Sequence, residues 1–292
     1  MTRLLNANFA RLFKGKLFYV CAAAAFVFGL IETMLNKAIM VMNNLIVPPE
    51  GALFKDSGLF FLVLTAVFVG IFVGAEHDGA LRNKIIVGQK RSAILLAYSI
   101  TCSAAIAMIH LLFIATVLIS GLICGGEFLL SFGEIALCEL LQLASLVEMS
   151  VIFSAIALLR QQKFGGAVAS LVILLVLFAL NHFTPVYLNA IKYSYEGYFS
   201  DIPIMRVEEK NLSAGELAQI TFAECFQDIS PFGQQTQIKE SFYNAYYSQY
   251  ELITAGGYTK VPIPVEIAPF ALGAIAATTA VGVLVFRKKD IK

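Results

Sequence analysis

From residue 92 to residue 123 the chain has no aspartate, glutamate, lysine or arginine. Such a run is too long for a buried strand and exceeds the roughly 20 apolar residues that carry a helix across a bilayer. Five further runs, at 17–42, 58–75, 132–159, 165–187 and 267–286, meet or approach that length. Membrane barrel strands need only about 10 residues, so these runs read as helices. Of the 292 residues, 59% are hydrophobic and 14% charged, whereas soluble domains carry about 25% charged residues. The expectation is an all-α integral membrane protein with six transmembrane helices, the third tilting or projecting beyond the hydrocarbon.

The basic residues orient these spans. Arg3, Arg11, Lys14 and Lys16 precede the first span, and Arg82, Lys84, Lys90 and Arg91 follow the second. Arg160 and Lys163 follow the fourth, and Arg287, Lys288, Lys289 and Lys292 follow the last. With six spans all of these fall on one side, while the short loops 43–57 and 124–131 opposite hold only Lys55. Positively charged loops stay inside, which places both termini and the 74–91 segment in the cytoplasm of a cell membrane. The net charge of +1 argues neither for nor against nucleic acid, and no nucleic-acid partner is expected. Charges recur up to Lys16 with no clear small-residue cleavage site after the apolar run, unlike a cleavable signal.

Residues 1–16 carry Leu5, Phe9, Leu12 and Phe13 at helical spacing among the bases. They read as an amphipathic helix in the membrane interface, or as a basic tail that only sets topology. Residues 17–187 hold spans 1–5, and 267–292 hold the last span and a basic tail. The intervening 188–266 is polar and rich in tyrosine (Tyr193, Tyr195, Tyr198, Tyr243, Tyr246, Tyr247, Tyr250 and Tyr258). Ser213 with Glu216 three residues on marks a helix start. The segment reads as a small, mainly helical extracellular subdomain closed by the turn-rich 254–269, or as a loop held by the helices beneath it.

The hinge between spans 2 and 3, "GAEHDGALRNKIIVGQKR" at 74–91, is internally ordered. Glu76 and Asp78 come first and the bases follow, which suits the dipole of a short helix over about 77–86. Gly88 is placed to end it, and Leu81, Ile85 and Ile86 offer an apolar side. A helix of this kind suits docking into a groove on another protein.

The run Glu76, Gly79, Arg82, Asn83, Lys84, Gly88 and Arg91 resembles the segment after the second span of ABC-2 type permeases, the membrane subunits of bacterial ABC transporters. The interfacial first helix, the six spans, the long outer segment and the tail "VFRKKDIK" are similar too, as is "DISPFGQ" at 228–234, which looks like the proline-containing element after their fifth span. Ala80, where the family often has threonine, and Lys90, where a small residue is common, depart from the pattern. The resemblance implies a coupling helix at 75–90 in which Glu76, Gly79, Leu81, Arg82, Asn83, Lys84, Ile85, Gly88 and Arg91 meet an ATP-binding cassette subunit. It also implies a dimer with a second permease copy or paralogue. The chain has no G-x-x-x-x-G-K-[ST] phosphate loop. No cofactor is therefore expected on it, ATP and magnesium belonging to the partner.

Charges within spans are costly, about 2.5–3.5 kcal/mol each at the centre. Glu32, Glu139, Gln142 and Glu148 are candidates to line a pathway. The alternative is that the span-4 carboxylates bond to hydroxyls, to a second subunit, to His110 or to His182. Glu134 is expected at the outer interface, and Glu32 and Lys37 are poorly spaced to pair on one helix face. "GIFVG" at 70–74 and "GLICG" at 121–125 have the spacing of close helix crossings. Five cysteines at 21, 102, 124, 138 and 225 read as buried hydrophobes, with a Cys124–Cys225 bridge as the alternative.

An enzyme is not expected, since GxSxG, HExxH and paired-aspartate motifs are absent from the sequence. The runner-up is a proton-coupled carrier using Glu139 and Glu148, although the halves carry no internal repeat. A sensory or structural membrane subunit is the remaining option. For an exporter, the apolar outer side under a tyrosine-rich segment favours an amphipathic peptide or lipid-like cargo.

Overall fold

A computed structural model describes residues 1–43, 48–54, 57–77, 80–124, 128, 130–160, 162, 164–196, 206–209, 212–242 and 263–288. The elements in chain order are α1 (Thr2–Lys14), α2 (Lys16–Asn43), α3 (Gly51–Phe54), α4 (Ser57–Gly74), a 3-10 turn (Ala75–His77), α5 (Ala80–Ile86), α6 (Arg91–Ile123), α7 (Phe132–Arg160), α8 (Gly165–Lys192), β1 (Tyr193–Glu196), β2 (Arg206–Glu209), α9 (Ala214–Ile229), α10 (231–242) and α11 (Ile267–Lys288). Among the described residues, six helical stretches are long and apolar enough to cross a membrane: Lys16–Ile39, Ser57–Gly74, Arg91–Ile123, Phe132–Arg160, Gly165–Thr184 and Ile267–Lys288. The chain is a helical, multi-pass membrane protein.

Helices α4 and α7 form the centre. α4 packs on α7 and α8, α7 also packs on α6 and α11, and α2 lies against α6. Small residues allow the closest crossing. A Cβ on Gly70 would sit 2.3 Å from Ala167 Cα, and one on Gly166 would sit 2.9 Å from Ala157 Cα, so α4, α7 and α8 meet nearly backbone to backbone. The second small-residue motif works differently, because Gly121 faces Pro49 of a loop and not another span. Aromatic rings fill the rest, with Phe28 stacked on Phe60 at 3.9 Å between α2 and α4, and Phe61 edge-on to Phe113 of α6. Thr65, Thr101, Thr116 and Ser154 each donate to the carbonyl four residues back, which satisfies these four hydroxyls in an apolar layer.

The segment between the fifth and last spans packs against the bundle over 212–242. α9 starts with the expected capping box, the Glu216 amide donating to Ser213 Oγ, and runs along α8. Ser230 ends it in extended backbone, as a residue before proline must, and Pro231 opens α10 where its missing N–H costs nothing. α10 then inserts polar side chains among α4, α7 and α8: Gln235 donates to Ser145 Oγ and, at 3.1 Å, to the Gln142 carbonyl, and Asn181 of α8 donates to Ser230 Oγ at 2.8 Å. Amide-rich α10 thus finds polar partners on α7. β1 and β2 pair antiparallel with Tyr193 opposite Glu209 and Glu196 opposite Arg206, a small strand ribbon beside the helices. The tyrosines from 243 to 258, the closing turn up to 262 and the end of the basic tail lie outside the described residues. Cys124 and Cys225 are free thiols, and Cys21, Cys102 and Cys138 are buried as expected.

Candidate functional site

The hinge lies at the end of the bundle where α4 stops and α6 begins, beside α1 and the last turn of α11. α1 presents Leu4, Asn8 and Leu12 inward, one residue per turn, with Leu5 and Phe9 half-buried beside them. Phe13, expected in the apolar stripe, is exposed. That buried stripe brings Arg11 to the turn after α4.

There Glu76, only 5% exposed, is held by two cations. One carboxylate oxygen pairs with Arg11 Nη1, and the other accepts from Lys84 Nζ of α5 at 2.8 Å. Arg11 also donates to the Phe72 carbonyl, in the last turn of α4, and lies 4.1 Å above the Phe72 ring. Lys84 donates further to Tyr98 Oη of α6 at 2.5 Å and to Asn8 Oδ1 at 3.5 Å. One carboxylate thus ties α1, α4, α5 and α6 together. Two positive charges share it, so burial first, and the Arg11 charge second, pull the Lys84 ammonium down to about 8. Burial likewise lowers the Arg11 guanidinium.

α5 ends as its sequence requires. Gly88 takes φ +86°, its N–H donates to the Ile85 carbonyl at 2.9 Å, and the Gln89 N–H reaches the Lys84 carbonyl at 3.1 Å. This is the paired-bond helix stop that glycine favours. The expected single apolar side is split in two. Leu81 is buried in the core and Ile85 half-buried against it, whereas Ile86 and Val87 are 70% and 78% exposed. Leu81 and Ile86 lie five residues apart, about 140° around a helix, so they cannot share a face. Asn83, Gly88 and Lys90 are exposed around the Ile86–Val87 tip. Arg91 turns away from it, donating to the Phe286 and Arg287 carbonyls at 3.4 and 3.3 Å, where it caps the C-terminus of α11. Gly79 and the Arg82 side chain lie outside the described residues.

The candidate pathway residues do not form one continuous line. Glu139 meets His110 of α6 at 2.8 Å, deep among Phe61 and Phe113. Gln142 donates to Ser57 Oγ of α4 at 3.1 Å, and Glu148 accepts from Gln234 of α10 at 3.2 Å. Glu32 is buried on α2, while Lys37 donates to the Cys124 carbonyl at 3.3 Å. Glu134 accepts from the Ser131 N–H and hydroxyl at the start of α7, and is bound there rather than merely solvated. His110 is one of the partners the sequence offers for the α7 carboxylates. Gln234 is not, because nothing in the sequence announces that α10 packs there. Arg11, Asn8 and Tyr98 were likewise missed as site residues, although a polar Asn8 between Leu4 and Leu12 on one helix face is a readable signal.

Fold and site together define a helical membrane protein whose hinge end is organised around a buried carboxylate. Compared with known proteins, the chain matches no family model, and no curated protein matches it.

Proposed function

We propose that this chain is the permease subunit of an ATP-driven transporter of the ABC-2 type, and that 75–90 receives force from a separate ATP-binding cassette subunit. The observation that carries this reading is the clamp on Glu76. A free basic loop needs no buried carboxylate, whereas a force-bearing lever must be fixed to the spans it moves. Here α5 is fixed through Lys84 and Glu76 to α4, through Tyr98 to α6 and through Arg11 to α1, while Ile86 and Val87 project outward. Two exposed aliphatic side chains at the tip of a short helix, ringed by polar and basic residues, suit a partner's groove.

In this reading both termini and the hinge are cytoplasmic, α1 lies in the inner interface, and α9 faces the outer leaflet. ATP and magnesium act on the partner, and a second permease copy or paralogue completes the pathway for an amphipathic cargo. The proton-relay reading draws less support, because Glu139 and Glu148 lie about 13 Å apart along α7 and bond to unrelated partners.

The test is co-purification of the tagged chain from membranes of its source cells, for wild type, Ile86→Asp and Val87→Asp. An ATPase subunit bearing a phosphate loop is expected with wild type and lost from both variants. Retention in both variants, or no ATPase with wild type, overturns the reading.

A further inference from the structure

At the end of the molecule opposite the hinge, α8 and α9 flank an open groove of about 780 Å³. Leu180 and Phe183 of α8 and Ala218, Phe222 and Phe226 of α9 form its walls. One end is closed by a polar bridge in which Tyr187 Oη donates to Gln219 Oε1 at 2.9 Å. Phe222 is 77% exposed and Phe183 is exposed beside it, an arrangement suited to hydrocarbon and costly in water.

Depth decides what fills it. α8 begins at Gly165, at the hinge end. At 1.5 Å per residue, Leu180 lies about 22 Å and Tyr187 about 33 Å along the helix. The hydrocarbon layer is about 30 Å thick, so the groove occupies its far third and its polar end reaches the headgroup level, where tyrosine is favoured. The walls therefore offer apolar surface below and a hydroxyl–amide pair above, in the order of an acyl chain and its headgroup.

We propose that this groove is a binding site for one acyl chain of a bilayer lipid from the leaflet far from the hinge, its headgroup seated at Tyr187 and Gln219. The site rests on the six-span reading alone and stands whether or not a cassette ATPase binds the hinge.

The chain has no tryptophan, so a single one placed at Phe222 reports on the groove without background. The full chain carrying Phe222→Trp is purified in mild detergent and titrated with lysophosphatidylcholine dibrominated on its acyl chain, a contact quencher. Leu175→Trp, on the exposed surface of α8, is the reference. Quenching at 222 should saturate at low lipid fraction and reverse with unbrominated lysolipid, while quenching at 175 should rise in simple proportion to added lipid. Adding Ala218→Phe, an exposed position whose larger ring fills the groove, should remove the saturable part and leave the fold intact by circular dichroism. Proportional quenching at both positions overturns the proposal. So does absence of quenching at 222, which would mean that protein, such as a second copy, covers the groove.

Discussion

Arg11 of α1 and Glu76 of the turn after α4 form an ion pair in which the carboxylate is almost wholly buried. The pair makes the first helix a wall of the hinge and not an appendage. Lys84 completes it from α5, so the conformation after α4 depends on residues from four helices.

Glu76→Gln leaves two cations gathered without a counter-charge. Breaking a buried pair in this way costs about 3–5 kcal/mol, and the partial exposure of Arg11 puts the expected loss at the lower end. Arg11→Met combined with Glu76→Gln should be less destabilised than the sum of the single variants by at least about 1 kcal/mol in a denaturation cycle in detergent. Strict additivity would mean that the pair does not couple.

Lys84 is expected to titrate near pH 8, which carbon-13 dimethyl-lysine NMR measures directly. Its folded value lies below its unfolded one, so folding disfavours the charged form. The stability contributed by this group therefore rises as pH climbs from about 8 toward the ordinary value of 10.5, and Lys84→Met should flatten that rise. Neutral Lys84 leaves Arg11 and Glu76 balanced, charge for charge. A midpoint at the ordinary lysine value contradicts the buried cluster.

Gly88→Ala forces a Cβ into the left-handed region and should cost about 1 kcal/mol. Hydrogen exchange localises the effect: the amides of Gly88 and Gln89, bonded to the Ile85 and Lys84 carbonyls, should exchange faster. Unchanged exchange would show that the helix stop survives without glycine.

Gly70→Ala places a methyl group where Ala167 already stands, so α4 and α8 must separate, at a cost of about 3 kcal/mol or more. Gly273→Ala on α11, where nothing lies within 4 Å, should be close to neutral. Equal thermal stability of the two variants would contradict the crossing.

The spans were legible because charge-free runs of bilayer length have few alternatives, and Gly88 was legible because few residues end a helix as it does. The "GIFVG" glycines announced a close crossing but not its partner, since spacing within one helix says nothing about which helix approaches. The packing of α10 on α7 was hidden for a related reason. Gln234 and Gln235 carry no pattern of their own, and their partners Glu148, Gln142 and Ser145 lie about 90 residues away in α7. Glu76 stood out in the hinge, whereas its partner Arg11 looked like one more topology-setting base. Long-range ion pairs leave no local pattern in a sequence. An apolar side running through Leu81 points into the core, so the exposed Val87 falls outside it.

The most direct measurement is site-specific photo-crosslinking from position 87 in membranes of the source cells. A photoreactive residue replacing Val87 should yield one dominant adduct, to a nucleotide-binding subunit with a phosphate loop, and the adduct should change in yield when ATP is trapped unhydrolysed. An adduct only to lipid, or labelling of position 87 from outside intact cells, would contradict a hinge that takes its force from ATP.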